Sequence, residues 1–297
     1  MLLVAFLYIY DKLVSTYWWR SCVNIQYLKT TIYSPKSAIL SPRKALKELW
    51  EDIISARELG WRLFLRNIRS HYRQTVLGTA WAVMAPLATT LVWIFLSNSG
   101  ILKIDSGSLP YPLFVLSGTM LWQLFLQTLL SPMQMLNSNK SLLGKINFPR
   151  TSLIMAGAGE VLFNFSISLL MLGLAFLAFQ YIPSWKIIFA PLGILAILLF
   201  GLTIGLLVTP FGMLFHDVGR SIQIGTQFLF YVTPIAYPIP ATGFSKLVME
   251  LNPLSHLILA TRDWLTDGSN EHLMTFLIIV GITIPVSYTH LTLPTKA

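Results

Sequence analysis

The sequence predicts an all-α membrane protein, a bundle of six spanning helices preceded by an amphipathic helix that lies along the bilayer surface. Three observations carry that prediction. Hydrophobic residues make up 55% of the 297 and charged residues only 11%, whereas soluble domains carry about 25% charged residues. The 21 basic and 12 acidic residues all fall outside the long apolar runs except Glu160. The basic residues are also distributed unevenly between alternate loops. This composition excludes a soluble globular domain, a disordered chain, a collagen and a coiled coil.

The elements follow in order. Residues 1–41 form an N-terminal extension whose first ten residues are apolar but too short to span. They lack a positive n-region and a small-residue cleavage site, so they read as an interfacial stub or an early start codon rather than a signal peptide. Residues 42–75 predict a helix, capped by Ser41 and started by Pro42. Apolar residues recur at Leu46, Leu49, Trp50 and Ile53, then at Trp61, Phe64, Leu65, Ile68 and Tyr72, the spacing of one helical face. Arg62, Arg66, Arg69 and Arg73 form a basic stripe at i, i+4, i+7 and i+11, about 100° round from that face. An interfacial helix meets both patterns, with its apolar side at the acyl boundary and its arginines beside phosphates. Packing on a soluble neighbour would satisfy them too, but the chain offers no large one, so a partner would have to supply it.

Residues 76–286 form the transmembrane domain. A span needs about 20 apolar residues, which predicts spans at 76–99, 112–136, 153–181, 187–214 and 221–239. The sixth, 273–286, has fourteen residues. It is followed by SYTHLTLPTKA at 287–297, which reads as a translated cloning or sequencing adapter, so the last helix is expected to be cut short. Pro234, Pro238 and Pro240 end the fifth span. Apolar spacing at Leu247, Leu251, Leu254, Ile258 and Leu265 then predicts a short re-entrant or surface helix pair, since irregular backbone survives at membrane depth only when buried in protein or lining a wet cavity. Nine Lys and Arg lie in residues 36–75, three more in 137–152, and Arg220 in the turn at 215–220, against four (Lys103, Lys186, Lys246, Arg262) in the alternate loops. That excess places the first set in the cytoplasm. The same bias accounts for the net charge of +9 without nucleic acid, because no soluble module interleaves basic and aromatic residues.

Four stretches carry a family resemblance. Trp61-Arg-Leu-Phe-Leu-Arg-Asn-Ile-Arg-Ser-His-Tyr-Arg-Gln-Thr-Val-Leu-Gly-Thr-Ala-Trp81, continuing to Pro86-Leu87, resembles the start of the first span in type-two ABC exporter permeases that move polysaccharides. Lys145-Ile-Asn-Phe-Pro-Arg150 resembles the family's loop between spans two and three, and His216-Asp-Val-Gly-Arg220 its loop between spans four and five. Asn252-Pro253-Leu254 and Arg262-Asp263-Trp264 resemble the external stretch before the last helix. Together they cover about residues 42–275, in the family's order. The resemblance implies a six-helix permease subunit of the bacterial inner membrane that dimerises, joins a separate ATPase carrying ATP and Mg, and exports a lipid-linked glycan such as O-antigen, capsule or teichoic-acid precursor.

The residues themselves agree with a subunit that holds no cofactor and has no engine. A phosphate loop needs G-x-x-x-x-G-K-[ST], and this chain offers only Gly144-Lys145 followed by Ile146. Glu160 is the single ionisable residue within a span, and such residues are functional candidates by default. It lies about 10 Å along the third span at 1.5 Å per residue, within reach of Asn164 and Arg150. Its readings remain an anchored carboxylate, a gating group or a proton relay. His216 and Asp217 are adjacent and diverge, so no zinc site forms, whereas Asp217 and Arg220, three apart, can pair. The lone Cys22 fits no metal spacing. Trp93, Tyr111, Trp122, Phe125 and Tyr231 read either as an interfacial belt or as rings along a glycan path.

The 139–150 loop is the expected place where the partner ATPase pushes. Leu143, Ile146 and Phe148 supply an apolar side for a groove, Lys145 and Arg150 flank it, and Pro149 stiffens the junction into the third span. Asp217 and Arg220 form the second candidate contact. Two other functions remain open on sequence grounds, a gradient-driven secondary transporter and a membrane scaffold without transport activity.

Overall fold

The computed structural model describes residues 42–73, 80–101, 109–140, 151–240, 242–266 and 271–292. Among these residues every regular element is a helix: α1 Pro42–Arg73, α2 Trp81–Asn98, α3 Tyr111–Ser138, α4 Thr151–Ala178, a 3-10 turn Trp185–Phe189, α5 Ala190–Leu214, α6 His216–Val232, α7 Phe244–Leu251, α8 Pro253–Thr266 and α9 Leu273–Thr292. The N-terminal extension and the loop at 141–150 lie outside the described residues. Three helical segments, Tyr111–Ser138, Thr151–Ala178 and Trp185–Leu214, are long and apolar enough to cross a membrane by length and composition, and Val83–Asn98 and Leu273–Tyr288 are shorter apolar helices.

The predicted order of helices is present, with shifted limits. The fifth, predicted at 221–239, runs instead from His216 to Val232. Its start is early because Asp217 in the first turn complements the helix dipole. Its end is early because Pro234 biases Thr233 into the extended conformation found there. The last helix continues past Val286 to Thr292, rather than stopping at the predicted limit. The helix pair predicted for 244–265 is α7 and α8.

Helix α3 is the axis of the bundle, with Leu113, Val115, Leu121 and Leu124 fully enclosed between α4 and α5. Glycines set how closely its neighbours approach. A Cβ on Gly205 would lie 2.5 Å from the Leu129 carbonyl oxygen, and one on Gly201 3.1 Å from that of Phe125. This is a small-xxx-small contact, the means by which helices associate where no hydrophobic force separates protein from solvent. Buried hydroxyls along α3 and α5 find acceptors within their own helix. Thr128, Thr203 and Thr209 donate to the carbonyls of Leu124, Leu199 and Gly205 at 2.6–2.7 Å, so no polar atom of these side chains is left open in an apolar span. Outward, Leu91, Leu170, Leu177, Leu192 and Ile282 expose about half of their surface or more. A soluble monomer does not carry that much contiguous apolar surface; this is the surface of a membrane protein.

The sequence left α1 without a neighbour inside the chain, and the structure corrects this. It lies along the first half of α4, where Gly60 meets the Ser152 carbonyl and Met155, and Gly159 meets the Phe64 ring. Leu63, Leu153 and Ala156 form a small second core there, joined by Leu59 and Phe64. Trp61 stays half exposed, its ring tilted against that of Phe64 with centroids 5.0 Å apart. One side of the predicted apolar stripe is therefore used by protein.

Candidate functional site

Helix α6 is the least enclosed of the long helices. Thr226 is buried, while Ile222, Leu229 and Phe230 pack on the core and close its inner side. Gly212 and Gly219 let the α5–α6 corner sit against Met133. On the opposite side Arg220, Gln223, Gln227 and Tyr231 are exposed at i, i+3, i+7 and i+11, beside exposed Ile224 and Phe228. That spacing is one continuous polar stripe along three turns of helix. Amide and guanidinium groups facing hydrocarbon are costly and are found facing a bundle interior or water. A stripe of this kind suits an aqueous path, and this chain alone leaves it open on one side.

The aromatic candidates divide. Tyr231 belongs to the stripe, and Trp93 is half-buried beside Tyr237 with ring centroids 6.0 Å apart. Tyr111 donates from its hydroxyl to the Ala236 carbonyl at 3.2 Å. Trp122 and Phe125, also read as rings along a path, are core residues instead. They are 4% and 2% exposed, with Trp122 edge-on to Phe230 at 5.5 Å and Phe125 stacked on Phe200 at 6.1 Å. They sit on the side of α3 that faces α5 and α6, and a ring enclosed there has no face left for a sugar.

At the end of the bundle that the charge count assigns to the cytoplasm, Arg66 donates to Asn139 Oδ1 at 2.8 Å, and Asn139 is 2% exposed. Asn67 donates to Met135 Sδ at 3.3 Å, so α1 is tied to the root of the 141–150 loop. Arg62 pairs instead with Glu58 at 2.7 Å, Arg69 is exposed, and Arg73 ends the helix. Leu143, Lys145, Ile146, Phe148, Pro149 and Arg150 lie outside the described residues. Asp217 and Arg220 occupy the first turns of α6, both exposed. No ion pair joins them among the described residues. Glu160 is half-buried on α4, and Asn164, one turn on, donates to Gln127 of α3 at 3.3 Å. Among the described residues no cluster of His, Cys, Asp and Glu is placed to hold a metal ion.

The opposite end carries titratable groups on α8 and beside it. Arg262 is 4% exposed, and its guanidinium lies 3.8 Å from the centroid of the Phe114 ring. Burial lowers it to about 10, opposed by neighbouring Asp263. Burial raises the Asp263 carboxyl to about 7, with Arg262 acting against the shift and Glu271 adding to it. Its buried Oδ2 has no hydrogen-bond partner among the described residues. His272 is lowered by burial and by His256, whose ring centroid is 5.4 Å away. The charge bias and the family resemblance both place Arg262 and Asp263 in an external stretch, and neither gives them a role. The signal available was an adjacent basic and acidic residue in a helix whose other buried positions are mostly apolar.

Comparison with known proteins adds a family and named relatives. A family model described as ABC-2 type transporter matches residues 58–265. The chain is similar to the O-antigen export system permease protein RfbA of Klebsiella pneumoniae, 23% identical over 226 residues, which cover 74% of this chain and 85% of that protein. It is similar to the protein of the same description from Myxococcus xanthus, at 24% over 214 residues, covering 71% and 81% respectively. The polysialic acid transport protein KpsM of Escherichia coli is 23% identical over 213 residues, covering 69% of this chain and 80% of its own length.

Proposed function

Given that this chain belongs to the ABC-2 type transporter family, we propose that it is the transmembrane subunit of an ATP-driven exporter moving lipid-linked polysaccharide across a bacterial cytoplasmic membrane. The names of its relatives, export proteins for O-antigen and polysialic acid, support that substrate class. ATP and Mg belong to a separate ABC ATPase subunit, which is the partner this family membership implies.

The observation that carries the reading is the open polar face of α6. Two copies of the chain set face to face enclose a path lined by Arg220, Gln223, Gln227 and Tyr231, wet enough for glycan hydroxyls and bordered by rings for sugar C–H faces. The basic side of α1, with Arg62, Arg66, Arg69 and Arg73, rests near anionic headgroups, an exposed cation such as Arg69 contributing about 1 kcal/mol. The 139–150 loop, with the first turns of α6, receives the motion of the ATPase. Glu160 is a structural carboxylate of the cytoplasmic half of α4.

Replacing Gln223 and Gln227 together by Leu tests the path. Both side chains are exposed, so the variant should fold, dimerise and hold its ATPase while glycan export falls about tenfold or more, a transport barrier raised by roughly 1.4 kcal/mol. Normal export in that variant rules out α6 as the lining.

A further inference from the structure

Asn252 precedes α8 and Arg262 lies in its second half, and both grip the same short segment where α6 ends. Asn252 Nδ2 donates to Thr233 Oγ1 at 3.0 Å, while its Oδ1 accepts from the Leu254 N–H at 3.1 Å. Arg262 Nη1 donates to the carbonyl oxygens of Pro234 and Ile235, each at 3.3 Å. Helix α3 closes the remaining side. The Phe114 ring lies under the guanidinium, the Tyr111 hydroxyl donates to the Ala236 carbonyl, and a Cβ on Gly118 would come within 2.3 Å of the Ile235 oxygen. Thr233, Ile235 and Ala236 are at most 1% exposed.

This arrangement is costly. A guanidinium that is enclosed without a bidentate carboxylate must have its desolvation offset by carbonyls and a ring, and an apolar side chain of similar volume would hold two helices together more cheaply. A buried charge of this sort gains direction: it binds only where those two carbonyls present themselves. The carbonyls are available because Pro234 ends the α6 ladder. The contrast along α6 matters as well, since its outward side is open from Arg220 to Tyr231 and its firm hold lies at Thr233–Ile235.

We propose that Asn252 and Arg262 form a latch that fixes α8 to the outer end of α6, so that these two elements move as one body when the path along α6 opens. Both are positioning residues: neither touches the stripe, and each acts through residues 233–235. The latch rests on the reading of α6 as the path wall in the preceding subsection.

The test uses the permease with its ATPase in a Cys22→Ser background. Thr233→Cys and Asn252→Cys are joined by a short, reductant-cleavable bis-thiosulfonate, with and without Arg262→Gln. Hydrogen exchange over residues 229–236 reports the latch with no glycan present, and glycan exported per ATP hydrolysed reports its use. Arg262→Gln should raise exchange there and lower the export ratio, each by about fivefold, and the covalent bridge should reverse both. In the protein that keeps Arg262, the bridged form should export at least as much glycan per ATP as the reduced form, which has lost the Asn252–Thr233 hydrogen bond. Bridging that stops export until reductant is added overturns the proposal, because the segments then have to part. Unchanged exchange and export in Arg262→Gln overturn it too. If Arg262→Gln fails to fold, Asn252→Ala and Arg262→Lys replace it; faster exchange is again expected in each, and exchange that stays normal in both overturns the latch. A reduced protein that exports no glycan at all counts against the polysaccharide reading, while the exchange data still decide the latch.

Discussion

Burial holds the Asp263 carboxyl at about 7 in the folded protein against 3.8 for the free side chain, so its charge and the fold oppose each other at neutral pH. The folded state binds this proton more tightly than the unfolded state does. The stability it contributes is therefore full below about pH 4 and lost as pH rises through about 7. Asp263→Asn should match the parent in thermal unfolding at pH 4 and exceed it at pH 8 by about 2 kcal/mol, after discounting for partial exposure. A variant less stable than the parent at pH 8 contradicts that balance. Residue roles of this kind were poorly legible in the sequence. The family resemblance picked out Arg262-Asp263-Trp264, but the acceptors that bury Arg262 lie 27 and 28 positions away in the chain, where no periodicity points. Trp122 and Phe125 illustrate the complementary difficulty. Gln123, Gln127 and Gln134 share the less buried side of α3, opposite Trp122 and Phe125, and a reading that counts aromatic rings without placing them on the helix misses that asymmetry.

Helix existence was far more legible than helix use. Long apolar runs separated by prolines and basic loops placed the spans, because the cost of a charge in hydrocarbon is large enough to override local propensity. Their limits moved where a local signal beats average hydropathy, as Asp217 and Pro234 do for α6. The sequence did not reveal that α1 uses its apolar side against α4, because that contact depends on Gly60 and Gly159, and an isolated glycine in a helical pattern carries little information before its neighbour is known. Glycine contacts support a direct prediction. Gly205→Ala forces a Cβ against the Leu129 carbonyl, whereas Gly173 has nothing within 4 Å of its Cβ position. Gly205→Ala should lower stability in detergent by about 1–3 kcal/mol, and Gly173→Ala should leave it unchanged or raise it by up to about 1 kcal/mol. Equal melting temperatures for the two variants contradict the packing described for α3 and α5.

For the whole molecule, orientation and partnership decide function. From the excess of basic residues we propose that α1 lies inside the cell and the α7–α8 pair outside, and both Ser55 and Ser245 are exposed, so each can report its side. In intact cells and a Cys22→Ser background, a membrane-impermeant maleimide should label Ser245→Cys and spare Ser55→Cys; the opposite pattern contradicts the topology. The larger claim is that this permease is driven by ATP hydrolysed on another subunit and carries a lipid-linked glycan. Co-reconstitution with its ATPase in proteoliposomes loaded with glycan lipid tests that claim most directly. The account predicts that glycan reaches the opposite leaflet only when ATP and Mg are present on the ATPase side, and that collapsing any proton or sodium gradient leaves the rate unchanged. Transport that proceeds without the ATPase on an imposed ion gradient would contradict it.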